Sequence, residues 1–159
     1  MSPDEPAAPR VPRMDPVHAR AWRALVTVGQ QLPARLDAQL TDDAGIINIE
    51  YAILGALAAA PDSTLRMGAL AEGSMSSTPR TSKAVTRLQK RGLVERTSCA
   101  GDGRAINVRL TREGLRTYLR ATPPHIALAR DTILGDLSDE ELTTLAGLLE
   151  RVTDRLDGP

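Results

Sequence analysis

The chain has 159 residues with 20 basic and 20 acidic side chains, a length that suits one domain with extensions. Its composition, 42% hydrophobic and 25% charged, is that of a globular protein able to bury its own core. The single Cys99 excludes an internal disulfide framework and a multi-Cys zinc site. The longest run free of charged and polar side chains, Ala52 to Pro61, is too short to span a bilayer. No basic–apolar–cleavage pattern opens the chain, so a cytoplasmic protein with no membrane partner is expected. Trp22, Tyr51 and Tyr118 are the only aromatic side chains, too few for a single-strand binder that stacks bases on aromatic platforms.

In chain order, residues 1–16 carry Pro3, Pro6, Pro9, Pro12 and Pro16 and read as a disordered arm. Residues 17–40 read as a first helix, with Ala21, Leu25, Val28, Leu32 and Leu36 at helical spacing and Pro33 expected to kink or interrupt it. After a turn at 42–48, Asn48 is placed to cap a buried helix over 49–60, ended by Pro61. A short helix over 66–72 and another over 78–91 follow. Residues 93–111 read as a β-hairpin: Ile106, Val108 and Leu110 alternate with polar residues, and Asp102-Gly103 signals the turn within a 99–104 loop. Thr111 can cap a long helix over 112–134, broken near Pro123-Pro124. Ser138 and Glu141 have capping-box spacing before a last helix, in which Leu142, Leu145, Leu149, Val152 and Leu156 repeat as a coiled-coil-like seam.

The neutral total conceals a polarity. Residues 80–112 hold nine basic side chains against Glu95 and Asp102, a net charge of +7, so the remainder carries −7. Such a segment suits a polyanion. On a helical projection of 78–91, Arg80, Lys83, Arg87 and Lys90 form one stripe roughly 80° wide. Thr81, Ala84, Val85 and Leu88 form a second stripe about 130° away. One face can pack while the other enters a groove. Ser77 or Thr78 can cap this helix, and Pro79 is tolerated in its first turn.

Within this helix Arg80 is the candidate for a bidentate contact to a guanine edge, because its fork matches O6 and N7. Thr81, Ser82 and Lys83 are candidates for base or phosphate contacts, and Arg87 and Lys90 for phosphates. At the hairpin tip Arg104 suits a minor groove narrowed by A·T-rich sequence, and Asp102 can orient its guanidinium. Two short helices and a turn feeding a basic helix, then a basic-tipped hairpin, is the layout of a winged helix-turn-helix.

The stretches Met67-Gly-Ala-Leu-Ala-Glu72, Thr86-Arg-Leu-Gln-Lys-Arg-Gly-Leu-Val-Glu-Arg96 and Gly101-Asp-Gly-Arg104, the last followed by Val108-Arg-Leu-Thr-Arg-Glu-Gly114, resemble the MarR family of bacterial winged-helix regulators. The resemblance implies an obligate homodimer with two winged-helix lobes on a helical dimerisation base. It implies binding to a pseudo-palindromic duplex operator, usually as a repressor, and often release by a small phenolic or other aromatic ligand. The family's wing pair falls on Asp102 and Arg104, and its recognition helix on about 77–91. Pro79, Gly73 and Pro33 depart from its usual helix-friendly residues.

The expected fold is mainly α with a small β-hairpin wing. Its parts are the arm (1–16), a first dimerisation helix (17–40), a winged helix-turn-helix lobe (41–111) and a long helix with a C-terminal dimerisation helix (112–159). Leu25, Val28, Leu142, Leu145, Leu149, Val152 and Leu156 are the expected dimer contacts. A small-molecule effector would draw on His18, Trp22, Tyr51, Tyr118 and His125. No cofactor, metal or catalysis is expected, since no phosphate loop, ligand cluster or nucleophile elbow is present in the sequence. The rival readings are a winged-helix module that binds protein, and a DNA-binding regulator without ligand control.

Overall fold

The computed structural model describes residues 12–99 and 102–158, without the side chains of 98–99, 102–105 and 157. Most of the Pro-rich arm and the hairpin tip at 100–101 therefore lie outside the described residues. Six helices and three strands follow in order: α1 (Pro16–Ala44), α2 (Asn48–Ala59), β1 (Thr64–Arg66), α3 (Met67–Gly73), α4 (Thr78–Lys90), β2 (Val94–Cys99), β3 (Asp102–Leu110), α5 (Arg112–Ala127) and α6 (Asp139–Asp157). A π-helical turn, Leu128–Ile133, extends α5. No described helix is long and apolar enough to cross a membrane. The chain divides into two compact units, Met1–Arg35 and Leu36–Pro159. The core and the candidate site belong to the second.

Several expected boundaries move. Pro33 lies inside α1 without ending it. Asn48 is the first residue of α2 rather than its cap. Its backbone N–H donates to Asp37 Oδ1 at 2.7 Å, and the Glu50 carboxylate accepts the N–H of Ile47, the true N-cap, at 3.2 Å. Pro123 and Pro124 lie within α5, and the regular helix ends at Ala127, three residues after Pro124. There the bonding widens, Leu134 N–H reaching Ala129 C=O at 3.0 Å, the register of a π-turn. β2 and β3 run further than expected: Asp102 pairs with Cys99, so Asp102 and Gly103 belong to a strand instead of the turn.

Two caps follow the sequence. Thr111 Oγ1 accepts the N–H of Gly114 at 3.0 Å to start α5. Ser138 and Glu141 exchange bonds of 3.3 and 2.9 Å to start α6. Between α4 and β2 the chain turns sharply at Gly92, whose φ of +71° suits glycine.

The sheet is antiparallel in the order β1-β3-β2. Sequence periodicity missed β1, which is only three residues long and pairs Thr64 with Arg109 and Arg66 with Asn107. The inner face of the sheet, through Val94, Val108 and Leu110, joins Leu40, Ile46, Ile53, Leu54, Leu57, Leu70, Ala84, Val85, Leu88 and Ala121 in one buried core. Each buried Leu, Ile or Val contributes about 1.5–3 kcal/mol. Every helix from α2 to α5 supplies at least one of these residues, so the small helices are fixed by shared burial rather than by their own propensity.

The start of α5 passes against the backbone before β2. A Cβ on Gly114 would lie 2.1 Å from the Leu93 carbonyl oxygen and 2.8 Å from Leu110 Cδ1. Gly114→Ala is therefore expected to lower unfolding free energy by roughly 2–4 kcal/mol, read in urea titrations. An unchanged midpoint would show that α5 can lift away from Leu93 without loss.

Candidate nucleic-acid interface

Helix α4 has 13 residues and three distinct sides. Thr81, Ala84, Val85 and Leu88 are buried in the core. Arg80, Lys83 and Lys90 are exposed on the side that the projection made basic. Ser82 and Thr86 form the third side, where Arg96 of β2 reaches them. The burial of Thr81 corrects its assignment as a base or phosphate contact. Its hydroxyl lies 3.5 Å from Ser74 Oγ, inside the lobe. The helical spacing had already placed Thr81 with the apolar stripe.

Ser77 holds the N-cap position in extended geometry, but its side chain makes no capping bond. Thr78 and Pro79 open the helix, where the missing proline N–H costs nothing. Arg87 stands on the basic stripe, yet its Nε donates to Glu50 Oε1 at 2.8 Å. Arg91 Nη1 lies 3.6 Å from the other carboxylate oxygen. Glu50 is only 4% exposed. One buried carboxylate thus caps its own helix and ties α2 to the far half of α4. Hydrophobic spacing does not name the partner; a carboxylate set within an apolar run is the one sign in the sequence that Glu50 has a distant one.

The backbone of Asp102 and Arg104 lies in β3, while their side chains are outside the described residues. Register places Arg66 and Arg109, both exposed, on the outward face of the sheet with Thr64, Glu95, Thr97 and Asn107. Arg66 joins the basic surface only through β1, which sequence periodicity did not show.

Of the five candidate ligand residues, His18 and Trp22 lie in the first unit, where His18 Nδ1 pairs with Asp15. The other three come together. Tyr51 has its ring centroid 5.2 Å from that of Tyr118 and 4.4 Å from that of His125. Its hydroxyl donates to Thr122 Oγ1 at 3.3 Å, and Thr122 donates to the Tyr118 carbonyl at 2.8 Å. Tyr118 packs against α2 because position 55 is glycine; a Cβ there would stand 3.1 Å from the ring. His125 Nδ1 lies 2.9 Å from Gln39 Oε1, and the amide nitrogen of Gln39 donates to Asp43 at 2.8 Å. With the amide so directed, Nδ1 is the donor, and the neutral ring keeps its lone pair on Nε2. Burial raises the Tyr51 phenol above its ordinary value and lowers the His125 imidazole below its own.

Beside this cluster lies a cleft of about 360 Å³. Asn48, Ile49, Tyr51 and Ala52 of α2 form one wall, Ser74, Met75 and Ser76 another, and Arg80 and His125 complete it. The Ser76 hydroxyl is buried with no hydrogen-bond partner among the described residues. Met75 has a left-handed φ of +49° and is 93% exposed. The cleft therefore joins the aromatic cluster to the first turn of α4.

Helix-turn-helix, basic helix and three-stranded wing together define a winged helix-turn-helix protein. Residues 44–105 match the MarR family. The regulator HosA of Escherichia coli is 30% identical over 133 residues, 84% of this chain and 94% of that protein. A shorter match, 40% identical over 70 residues, covers 44% of this chain and 42% of the regulator PecS of Dickeya dadantii. Among solved structures, Sco3205, a MarR family transcriptional regulator from Streptomyces coelicolor in complex with DNA, superposes with a TM-score of 0.86. It is 32% identical, over 94% of this chain and 93% of its own. The chain belongs to the MarR family of transcriptional regulators. Its named relatives are regulators rather than enzymes, as the sequence led us to expect.

The lowered His125 value has a consequence for stability. On acidification the unfolded chain takes up the proton near the ordinary pKa of about 6.5, before the folded chain does. The share of stability due to the neutral ring is complete above that value and is lost as the pH falls toward the lower folded value. Urea midpoints of wild type and His125→Gln are thus expected to draw together as the pH falls below about 6.5. A separation that stays constant on acidification would mean that the ring titrates alike in both states.

Proposed function

We propose that the protein is a homodimeric, sequence-specific reader of duplex DNA that represses transcription and is released by a small, aromatic ligand. The observation that carries the DNA reading is the exposed stripe of Arg80, Lys83 and Lys90 on a helix whose opposite side is fully buried. That side of α4, with the buried side behind it, is the one that best suits a groove. Arg80, in the first turn, reads a guanine edge through its paired donors, and Lys83 reads a base or a phosphate. Lys90, three turns on, meets phosphates. Arg87 contributes charge to the same surface while Glu50 holds it in place. Arg104 enters the adjoining minor groove, with Asp102 beside it. The DNA complex of Sco3205, a protein of like fold and 32% identity, supports this reading. A protein-binding winged helix would not need the basic stripe.

The dimer reading rests on α6, none of whose described side chains joins the core. Leu145, Leu149, Val152 and Leu156 of its seam are exposed in the single chain, with Leu142 half-buried. Leu25 and Val28 of α1 are exposed as well. Pairing such seams across a two-fold axis covers them and presents two copies of α4 to half-sites about one helical turn, roughly 10 bp, apart. In this reading 17–40 and 112–159 form the base and 41–111 the DNA-reading lobe. The ligand reading rests on the cleft, where Tyr51 and His125 offer aromatic faces and Arg80 a cation.

Selection of bound duplexes from a random pool, followed by salt titration of the best binder, tests the proposal. A pseudo-palindrome and a steep loss of affinity with salt are expected. Failure of folded dimer to enrich any duplex at low salt would overturn the DNA reading. On the selected site Arg80→Ala should cost about 1–3 kcal/mol and relax one base position, whereas Lys90→Ala should weaken all sequences alike and reduce the salt slope by about one. Equal losses for Arg80→Ala on every sequence would make it a phosphate contact instead. Leu149→Glu combined with Val152→Glu should sediment as a monomer, because two charges would be buried in the seam. Sedimentation unchanged from wild type would place the dimer contact elsewhere.

A further inference from the structure

Arg96 breaks the alternation of the strand it sits on. In β2 register, Val94 faces Leu110 and Arg96 faces Val108, and Val94, Val108 and Leu110 are all buried. Residues two apart in a strand share a face, so position 96 is an inner position occupied by a guanidinium. Its Nη2 donates to the Ser82 carbonyl at 3.0 Å and to Thr86 Oγ1 at 3.0 Å, with Ser82 Oγ at 3.5 Å. Thr86 Oγ1 itself donates to the Ser82 carbonyl at 2.9 Å, closing the network on one turn of α4. That turn lies on the third side of the helix, away from both the core and the basic stripe. The Nε of Arg96 is buried with no partner among the described residues. An unpaired buried donor is destabilising, and an apolar side chain of similar length would fill the position without it.

We propose that Arg96 is a positioning residue for DNA recognition, one that fixes the roll and slide of α4 against the strand leading to the wing tip. The proposal rests on the DNA-binding reading above. A helix in the major groove and a hairpin in the adjoining minor groove read one site together only if their separation is fixed. Core packing sets the depth of α4. The Arg96 bonds to Ser82 and Thr86 add a directional tie, to a carbonyl and a hydroxyl one turn apart, that apolar contact does not supply. Arg96 acts through Ser82 and Thr86 and adds no phosphate contact of its own.

The test uses the full chain and the duplex selected by wild type. Arg96→Met is expected to melt no lower than wild type, because it removes the unpaired donor. Its preference for the selected duplex over a scrambled one is expected to fall about tenfold or more. Affinity for the scrambled duplex and the salt slope are expected to stay unchanged, since no phosphate contact is lost. Thr86→Val should lower the preference in the same way, Thr86→Ser should restore it, and Arg96→Met with Thr86→Val should be no worse than Arg96→Met alone. The Thr86 variants carry the test if Arg96→Met does not fold.

A wild-type preference in Arg96→Met overturns the proposal. So does a salt slope lower by about one, which would make Arg96 a phosphate contact. A loss of preference that tracks a loss of melting temperature would make its role structural only, and also overturns it. Failure of wild type itself to enrich a duplex counts against the DNA reading, and is seen before any variant is made.

Discussion

A helix that must bury one side and present another is sensitive to its rotation above all else. Each residue of α4 turns the helix by about 100°. A slip of one residue would carry the basic stripe toward the core and expose Ala84, Val85 and Leu88. The lobe therefore depends on holding α4 at one angle, and three different elements do so. Thr81, Ala84, Val85 and Leu88 are sunk among α2, α3 and the sheet. Glu50 of α2 holds Arg87 and Arg91 on one flank. Arg96 of β2 holds Ser82 and Thr86 on another.

These holds differ in kind. The apolar side is worth several kcal/mol by area but is non-directional, and cores accept small shifts. The two polar ties contribute little net stability: Arg87 is half exposed to water, and Arg96 Nε has no partner among the described residues. What they supply is geometry, since a carboxylate or a carbonyl accepts from one direction at one distance. Division of labour between burial for stability and polar contacts for orientation accounts for charged residues inside an otherwise apolar lobe.

The elements with long periodicity were legible in the sequence, as were the caps at Thr111 and Ser138. The basic stripe and the packed stripe of α4 fall where the helical projection puts them, and Thr81, whose hydroxyl suits DNA, follows its position into the packed stripe. What periodicity could not show were interactions set by tertiary approach. β1 is three residues long, too short to alternate, and exists because β3 offers it an edge. Pro33, Pro123 and Pro124 each lie inside a helix that continues past them, although proline disfavours a helix interior. Glu50 and Arg96 look misplaced within apolar or alternating runs, and that misfit was the available signal that each has a distant partner.

The same turn of α2 serves two surfaces. Asn48, Ile49 and Tyr51 line the cleft, while Glu50 between them turns inward to α4. Arg80 lines the cleft from α4 itself. A ligand can change DNA affinity only through a different affinity for two arrangements of the lobe. An occupant of this cleft would touch the first turn of α4 directly and the anchor of its second half at one remove. Loosening the Glu50 tie or drawing Arg80 inward both alter the presentation of the basic stripe without disturbing the apolar core. The Arg96 tie, on the opposite flank, shares no residue with the cleft. It leaves the wing side of α4 as a fixed edge about which such a change would turn.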